Sequence, residues 1–356
     1  MLSLLLGNGA CSCQRALQPT PTPQEEAEAL DRQAFAHLQN REFREAAVLW
    51  EKSRARWAQL GNRTKEQAAL NNLGAAYQEL QRPTEARQCW EQSLKLAQEL
   101  GDRAAQASAW ANLGSLFTRA AQWPKAQQAY EQALKQYRTL GDAEGQLKAL
   151  SCLGTVQAAR SHWTAAQAAY EQGLRLAQQK GDLLRQAQMR LGLGTLALQR
   201  KRWAEAEAHL LPCLRLLEAL QDRGSLTQVL ENLGLAAWKQ GRHEAARKYW
   251  TRSLVLCRAR QDQAGEARMR LFLGDLYRDR GQAQAARQSY LNGLVLTRKL
   301  RQRREEATFL LRLAHLDEAA HDFPRARAHL QAAASIFRDL QAPELQEVEA
   351  RLKRLR

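Results

Sequence analysis

The chain has 356 residues, 45% of them hydrophobic and 25% charged, an ordinary balance for a soluble protein, and its eight prolines and twenty glycines leave little room for low-complexity linkers. No run approaches the ~20 apolar residues needed to cross a bilayer. The net charge of +16 can attract acidic peptide, anionic lipid or nucleic acid, and it bears on encounter and solubility rather than on fold.

That charge is unevenly placed. Residues 1–182 hold 21 Lys/Arg against 18 Asp/Glu, a net of +3, whereas residues 183–356 hold 32 against 19, a net of +13. The N-terminal run Leu2–Leu6 stops at Gly7 and lacks both the basic flank and the roughly 7–15 apolar residues of a secretory signal. A lipoprotein reading of Cys11 needs an apolar residue three places earlier, where Asn8 stands. Residues 1–23 are therefore expected to be a disordered tail, with Pro19, Pro21 and Pro23 forming an extended spacer. Cys11 and Cys13 make a lone C-x-C, a weak metal signal. Cys89, Cys152, Cys213 and Cys257 sit within helical patterns and read as reduced, largely buried thiols, which favours a reducing, cytoplasmic setting.

From residue 24 onward the chain repeats every forty residues. Gly74, Gly114, Gly154, Gly194, Gly234 and Gly274 fall in one column, closed by Ala314, and a leucine precedes each. Twelve residues further on stands an alanine: Ala86, Ala126, Ala166, Ala206, Ala246, Ala286 and Ala326, with Ala46 in a leading copy. Four residues after that comes a large side chain: Trp50, Trp90, Tyr130, Tyr170, Leu210, Trp250, Tyr290 and Leu330. A glycine in mid-helix costs about 1 kcal/mol against alanine, so its recurrence implies close approach by a neighbouring helix. The large residue is expected to fill the wedge between helix pairs, small against large. Trp110, Trp123, Trp163, Trp203 and Trp238 recur with the repeat and read as core rather than as stacking platforms.

The boundaries follow the same period. Gly101-Asp102, Gly141-Asp142 and Gly181-Asp182 place a left-handed glycine at a helix end and an N-capping aspartate before the next helix. Asp222 and Asp262 keep the cap without the glycine. Pro83, Pro124 and Pro324 suit the first turn of second helices, and Pro212 should kink the helix it interrupts. Residues 343–356 carry Leu345, Val348, Leu352 and Leu355 on one stripe and are expected to form a C-terminal capping helix.

The spacing L-G-x-x-[YF], the small residue twelve places on and the aromatic four later resemble the tetratricopeptide repeat. Asn72-Leu73-Gly74, Asn112-Leu113-Gly114 and Asn232-Leu233-Gly234, with the intervening G-D turns, are similar to its forty-residue variant in spindle-orientation scaffolds and in bacterial sensor and signalling proteins. The resemblance implies an all-α fold, an α-solenoid of about eight antiparallel helix pairs over residues 24–342 wound as a right-handed superhelix, with first helices lining a concave groove. It is unspecific for function, because the matching columns are packing columns.

Groove candidates flank the glycine column. Asn71, Asn72, Asn112, Arg119, Lys148, Asn232, Lys239, Arg268, Arg278 and Arg312 are the residues expected to hold peptide. In the resembling family, the Asn before Leu-Gly grips an extended backbone, to which it can both donate and accept. Nearby Arg and Lys would select acidic side chains. The same amides can instead bond within the stack, and Asp275, Arg278 and Asp279 have the spacing of a solvated salt-bridged face. None of the seven histidines stands in a nucleophile-activating motif, and no G-K-[ST] follows a strand, so catalytic, metal and cofactor roles are all expected to be absent. The leading expectation is a non-enzymatic scaffold holding an extended or acidic segment of a partner protein. The alternatives are a nucleic-acid accessory factor using the basic half and a peptide-sensing regulatory module.

Overall fold

The computed structural model describes residues 21–355. The expectations for the leucine run, Cys11 and Cys13 lie outside that range. The described residues form seventeen helices and fall into two compact units divided between Asp142 and Ala143.

The first unit holds α1 (Pro23–Gln39), α2 (Phe43–Gln59), α3 (Arg63–Glu79), α4 (Pro83–Glu99), α5 (Arg103–Arg119) and α6 (Trp123–Leu140). The second holds α7 (Ala143–Ala159), α8 (Trp163–Gln179), α9 (Leu183–Gln199), α10 (Trp203–Ala219), α11 (Arg223–Lys239), α12 (His243–Ala259), α13 (Gln263–Asp279), α14 (Ala283–Lys299), α15 (Arg303–Ala319), α16 (Phe323–Asp339) and α17 (Glu344–Arg354). Within each unit consecutive helices pack as hairpins, and first helices also touch first helices: α3 on α5, α7 on α9, α9 on α11 and α13 on α15. Each unit is an all-α solenoid arrangement of hairpins, three in the first and five in the second, with α17 packed on α16 through the buried Val348.

The glycine column has one function throughout. A Cβ on Gly114 would lie 2.8 Å from the Tyr130 ring, one on Gly154 2.6 Å from Tyr170 and one on Gly194 2.5 Å from Leu210. Gly74, Gly234 and Gly274 face Trp90, Trp250 and Tyr290 in the same way. The large residue thus packs first against the glycine of its own hairpin. It also reaches the next one, since Tyr170 touches Gly192 and Trp250 stacks on Phe272 at 5.2 Å. Trp90 and Trp250 complete the contact by donating their indole N–H to the carbonyls of Asn71 (3.0 Å) and Glu231 (3.1 Å). The fully buried tryptophans are Trp50, Trp57, Trp90 and Trp250. Of the other five, Trp110, Trp203 and Trp238 are half-buried and pack against the core as expected, while Trp123 and Trp163 are half-buried. Trp123, Trp163 and Trp203 are the first residues of second helices, next to the turns.

Every turn places one residue in the left-handed region, at twenty-residue intervals. Gly101 and Gly181 do so at φ near +68° and +67°, but Gln81, Ala121, Lys201 and Gln221 occupy the equivalent position without glycine's freedom. Asp102, Asp182, Asp222 and Asp262 each accept backbone N–H bonds at the start of the following helix. Pro83, Pro124 and Pro324 lie in first turns as expected. Pro23, assigned from sequence to the spacer, opens α1 behind a Thr22–Glu25 capping box, because its missing N–H is unneeded there. Helix α10 continues through Pro212 at the same seventeen-residue length as its neighbours.

Candidate functional site

The residues expected to face a ligand lie on first helices, at fixed offsets from the buried leucine and glycine. The structure bridges several of them from one first helix to the next. Asn112 Nδ2 donates to Asn71 Oδ1 at 2.9 Å, and Asn232 Nδ2 donates to Thr195 Oγ1 at 3.2 Å. Arg268 Nε donates to Glu231 Oε2 at 3.2 Å, and Arg312 Nε to Asp275 Oδ1 at 2.8 Å. The three asparagines Asn71, Asn112 and Asn232 are half-buried rather than enclosed. Each bridge uses part of an amide's capacity and leaves the rest, as one side-chain carbonyl and two N–H groups can make more than one bond. Asn72 is half-buried as well.

Asp275 departs from the solvated-face expectation. It is 6% exposed and accepts from the Tyr290 hydroxyl at 2.7 Å as well as from Arg278 at 3.2 Å and Arg312. A carboxylate one residue past the helix glycine is placed over the aromatic of its own hairpin, so the tyrosine hydroxyl meets it from below. Burial, then the Asp275 charge, pushes the Tyr290 phenol far above its usual range, so it remains a proton donor. Tyr170 meets Thr155 in the equivalent way at 3.0 Å.

Beside Asp275, helices α13, α15 and α17, with the first residue of α16, border an open cleft of about 1010 Å3. Arg278, Arg312, Arg351 and Arg354 line it with His315 and Phe323, against Asp279, Glu318 and Glu347. Arg278 pairs with Asp279 at 2.8 Å and Arg351 with Glu318 at 2.9 Å. Since a guanidinium carries five N–H donors, these pairs leave donors to spare. Burial, reinforced by Arg278 and Arg351, lowers the His315 pKa, favouring a neutral ring. Arg351 and Arg354 were not anticipated. The apolar stripe of residues 343–356 marks only a cap, and two arginines three apart on one helix face are the signal in the sequence that points to them.

A second cleft in the same unit, about 450 Å3, lies along α7, α9 and α11 and has no charged residue in its lining. Ser151, Thr155, Gln188, Thr195, Gln199 and Gln228 surround a floor of Tyr170, Ala158 and Gly192. The remaining candidates are dispersed. Lys148 is paired with Glu144 at 2.7 Å, and the Lys239 ammonium sits 4.1 Å from the centre of the Trp238 ring. Arg119, in the first unit, borders a cleft of about 300 Å3 with Gln78 and Pro83. Glu231 is held above the usual carboxylate range by burial, which outweighs Arg268. Cys89, Cys213 and Cys257 are buried and Cys152 half-buried, all as free thiols. No described helix is long and apolar enough to cross a membrane. Among the described residues no group of three or more His, Cys, Asp or Glu is placed to hold a metal ion.

Comparison with known proteins gives a consistent result. Residues 65–139 and 225–294 match one description of the tetratricopeptide repeat, and residues 153–211 match another. No curated protein matches the chain. Among solved structures, the apo form of the quorum sensor NprR from B. thuringiensis is similar with a TM-score of 0.66 at 13% identity, over 90% of this chain and 89% of that one. A Rap protein complexed with Competence and Sporulation Factor aligns with a TM-score of 0.55 at 14% identity, over 94% and 100%. A STAND protein (Signal Transduction ATPase with Numerous Domains) with a tetratricopeptide repeat sensor, from Pyrococcus horikoshii, aligns with a TM-score of 0.69 at 14% identity, over 80% of this chain and 44% of that one. At such identities the likeness is one of fold.

Proposed function

Because the chain belongs to the tetratricopeptide-repeat family, we propose that it is a non-enzymatic interaction module that grips a peptide segment of a partner protein along the exposed faces of its first helices. The observation that carries this reading is the cleft between α13, α15 and α17, where four arginines converge on a volume large enough for several residues of an extended chain. Arg312 is positioned by buried Asp275, and Arg354 is exposed, so both can meet carboxylates of an acidic segment. The quorum sensor NprR and the Rap protein with its bound factor support the reading by likeness of architecture alone. Asn71, Asn72, Asn112, Arg119, Lys148, Asn232, Lys239, Arg268, Arg278 and Arg312 remain the proposed contacts. Of these, Arg278 and Arg312 carry the most weight, because they line the same cleft.

The test is selection of a displayed random twelve-residue peptide library on the full chain. The selected peptides should be enriched in Asp and Glu and should lose at least tenfold in affinity on Arg312→Gln combined with Arg354→Gln. Basic or uncharged selected sequences, or affinity indifferent to that pair, would overturn the acidic-segment assignment.

A further inference from the structure

Two residues before the repeat glycine, successive first helices carry Asn72, Asn112, Cys152, Gly192, Asn232, Phe272 and Arg312. Only α9 has no side chain at this offset. The consequence is local: a Cβ on Gly192 would stand 2.5 Å from Tyr170 Cε1, so the ring of the preceding hairpin takes the space and floors a recess. Tyr170 is gripped from both sides, by Gly154 and by Gly192, and its hydroxyl is tied to Thr155. Around the recess stand Ser151 and Thr155 from α7, Gln188, Thr195 and Gln199 from α9, and Gln228 from α11.

This lining is unusual for a unit so rich in arginine. It contains no charge of either sign, while seven of the twelve residues around the neighbouring cleft are charged. Uncharged amides and hydroxyls both donate and accept, which matches the alternating C=O and N–H groups of a peptide main chain. The small residues Ala158, Ala159 and Gly192 let such a chain approach the helices closely. Arg185 donates to Gln188 Oε1 at 2.8 Å and also faces Glu144 at 3.7 Å, so a charged side chain placed here would lose water for no free counter-ion, a penalty that disfavours it.

We infer that the recess over Gly192 and Tyr170 is a second subsite for the peptide proposed above, taking an uncharged, extended stretch through its main chain, with Gly192 as the residue that opens it. This rests on the peptide-binding reading and adds to it: the segment recognised is bipartite, with an acidic part for the arginine cleft and an amide-rich or small-residue part for this one.

The experiment uses fluorescein-labelled peptides taken from the library selection on the full chain, titrated by anisotropy. Gly192→Asn, which restores the side chain common at this offset, should weaken binding at least tenfold. Since that substitution crowds Tyr170, the double variant Gln199→Ala/Gln228→Ala is measured beside it. Both positions are exposed, and a threefold or greater loss is expected there with an unchanged melting curve. Selected peptides should carry at least three consecutive uncharged residues beside their acidic ones. Peptides that lose affinity on Arg312→Gln with Arg354→Gln but are indifferent to both recess variants would overturn this subsite and leave the proposed function standing. Failure to select any peptide would overturn both.

Discussion

A Cβ added to Gly74 would lie 2.5 Å from Trp90 Nε1, the same indole nitrogen that donates to the Asn71 carbonyl at 3.0 Å. One glycine therefore admits a buried ring and lets it bond the helix that carries the candidate site. Gly74→Ala should gain about 1 kcal/mol of helix propensity yet lose more, because overpacking a closed core typically costs about 1–3 kcal/mol. The net expectation is destabilisation of up to about 2 kcal/mol, read as a lower denaturation midpoint. An unchanged or raised midpoint would show that the ring can move aside.

Ala121 holds φ near +53° in the turn between α5 and α6, a region that L residues enter at a cost of about 1–2 kcal/mol. Ala121→Gly should therefore stabilise the protein by about 0.5–1 kcal/mol after glycine's entropic cost is subtracted. Gly101→Ala, at φ +68°, should do the reverse by a similar amount. Equal melting temperatures for the two variants would contradict this account of the turns.

Asp275 is the buried anchor of the arginine cleft. Removing a buried, multiply bonded carboxylate strands its partners, so Asp275→Ala should cost about 3–5 kcal/mol, and Asp275→Asn, which keeps an acceptor, distinctly less. Chemical denaturation of the two variants measures the difference. A loss below about 1 kcal/mol for Asp275→Ala would show the site to be solvated rather than buried.

Glu231 provides a pH test. Its folded-state pKa is raised above the ordinary value of 4.5 by burial, so the folded protein holds that proton more tightly than the unfolded chain does. Stability from this group is fully present below the ordinary carboxylate pKa and declines as pH rises through the raised value. Glu231→Gln removes the decline. Its melting temperature relative to the parent should rise with pH above about 4.5 and then level off. A difference constant with pH, or one growing on acidification, would contradict the sign.

Thiol accessibility tests the packing of the second helices. Burial pushes the Cys89 thiol up to about 11 and the Cys213 thiol up to about 12. In the native state at mildly alkaline pH both should resist iodoacetamide, as mass spectrometry of the digested protein would report. Rapid labelling of Cys213 without unfolding would be incompatible with its bond to the Ala187 carbonyl.

The repeat architecture was legible because its signals are local and recur in register. Gly74 and Trp90 are sixteen residues apart, and their partnership reappears at Gly114 with Tyr130 and at Gly234 with Trp250. Caps such as Asp102 and Asp182 announced the boundaries for the same reason. The candidate site was only partly legible. Offsets from glycine single out Arg278 and Arg312 as separate groove positions, and only the structure sets both on one cleft; the bridges from Asn112 to Asn71 and from Arg312 to Asp275 join adjacent repeats, and no pattern within one repeat announces them. Arg351 and Arg354 were hidden by their place in a terminal amphipathic stretch. Gly192 was hidden by its neighbour Gly194, since G-L-G reads as part of the repeat until the column two places earlier is followed through every copy.

The most direct test of peptide capture by the first helices is photo-crosslinking with a selected peptide that carries a benzophenone side chain, followed by mass-spectrometric mapping on the intact chain. Crosslinks should fall on the first helices that border the two clefts, α7, α9, α11, α13 and α15, and on the Arg351 face of α17. Crosslinks concentrated on the second helices α8, α10, α12 and α14 would contradict the account.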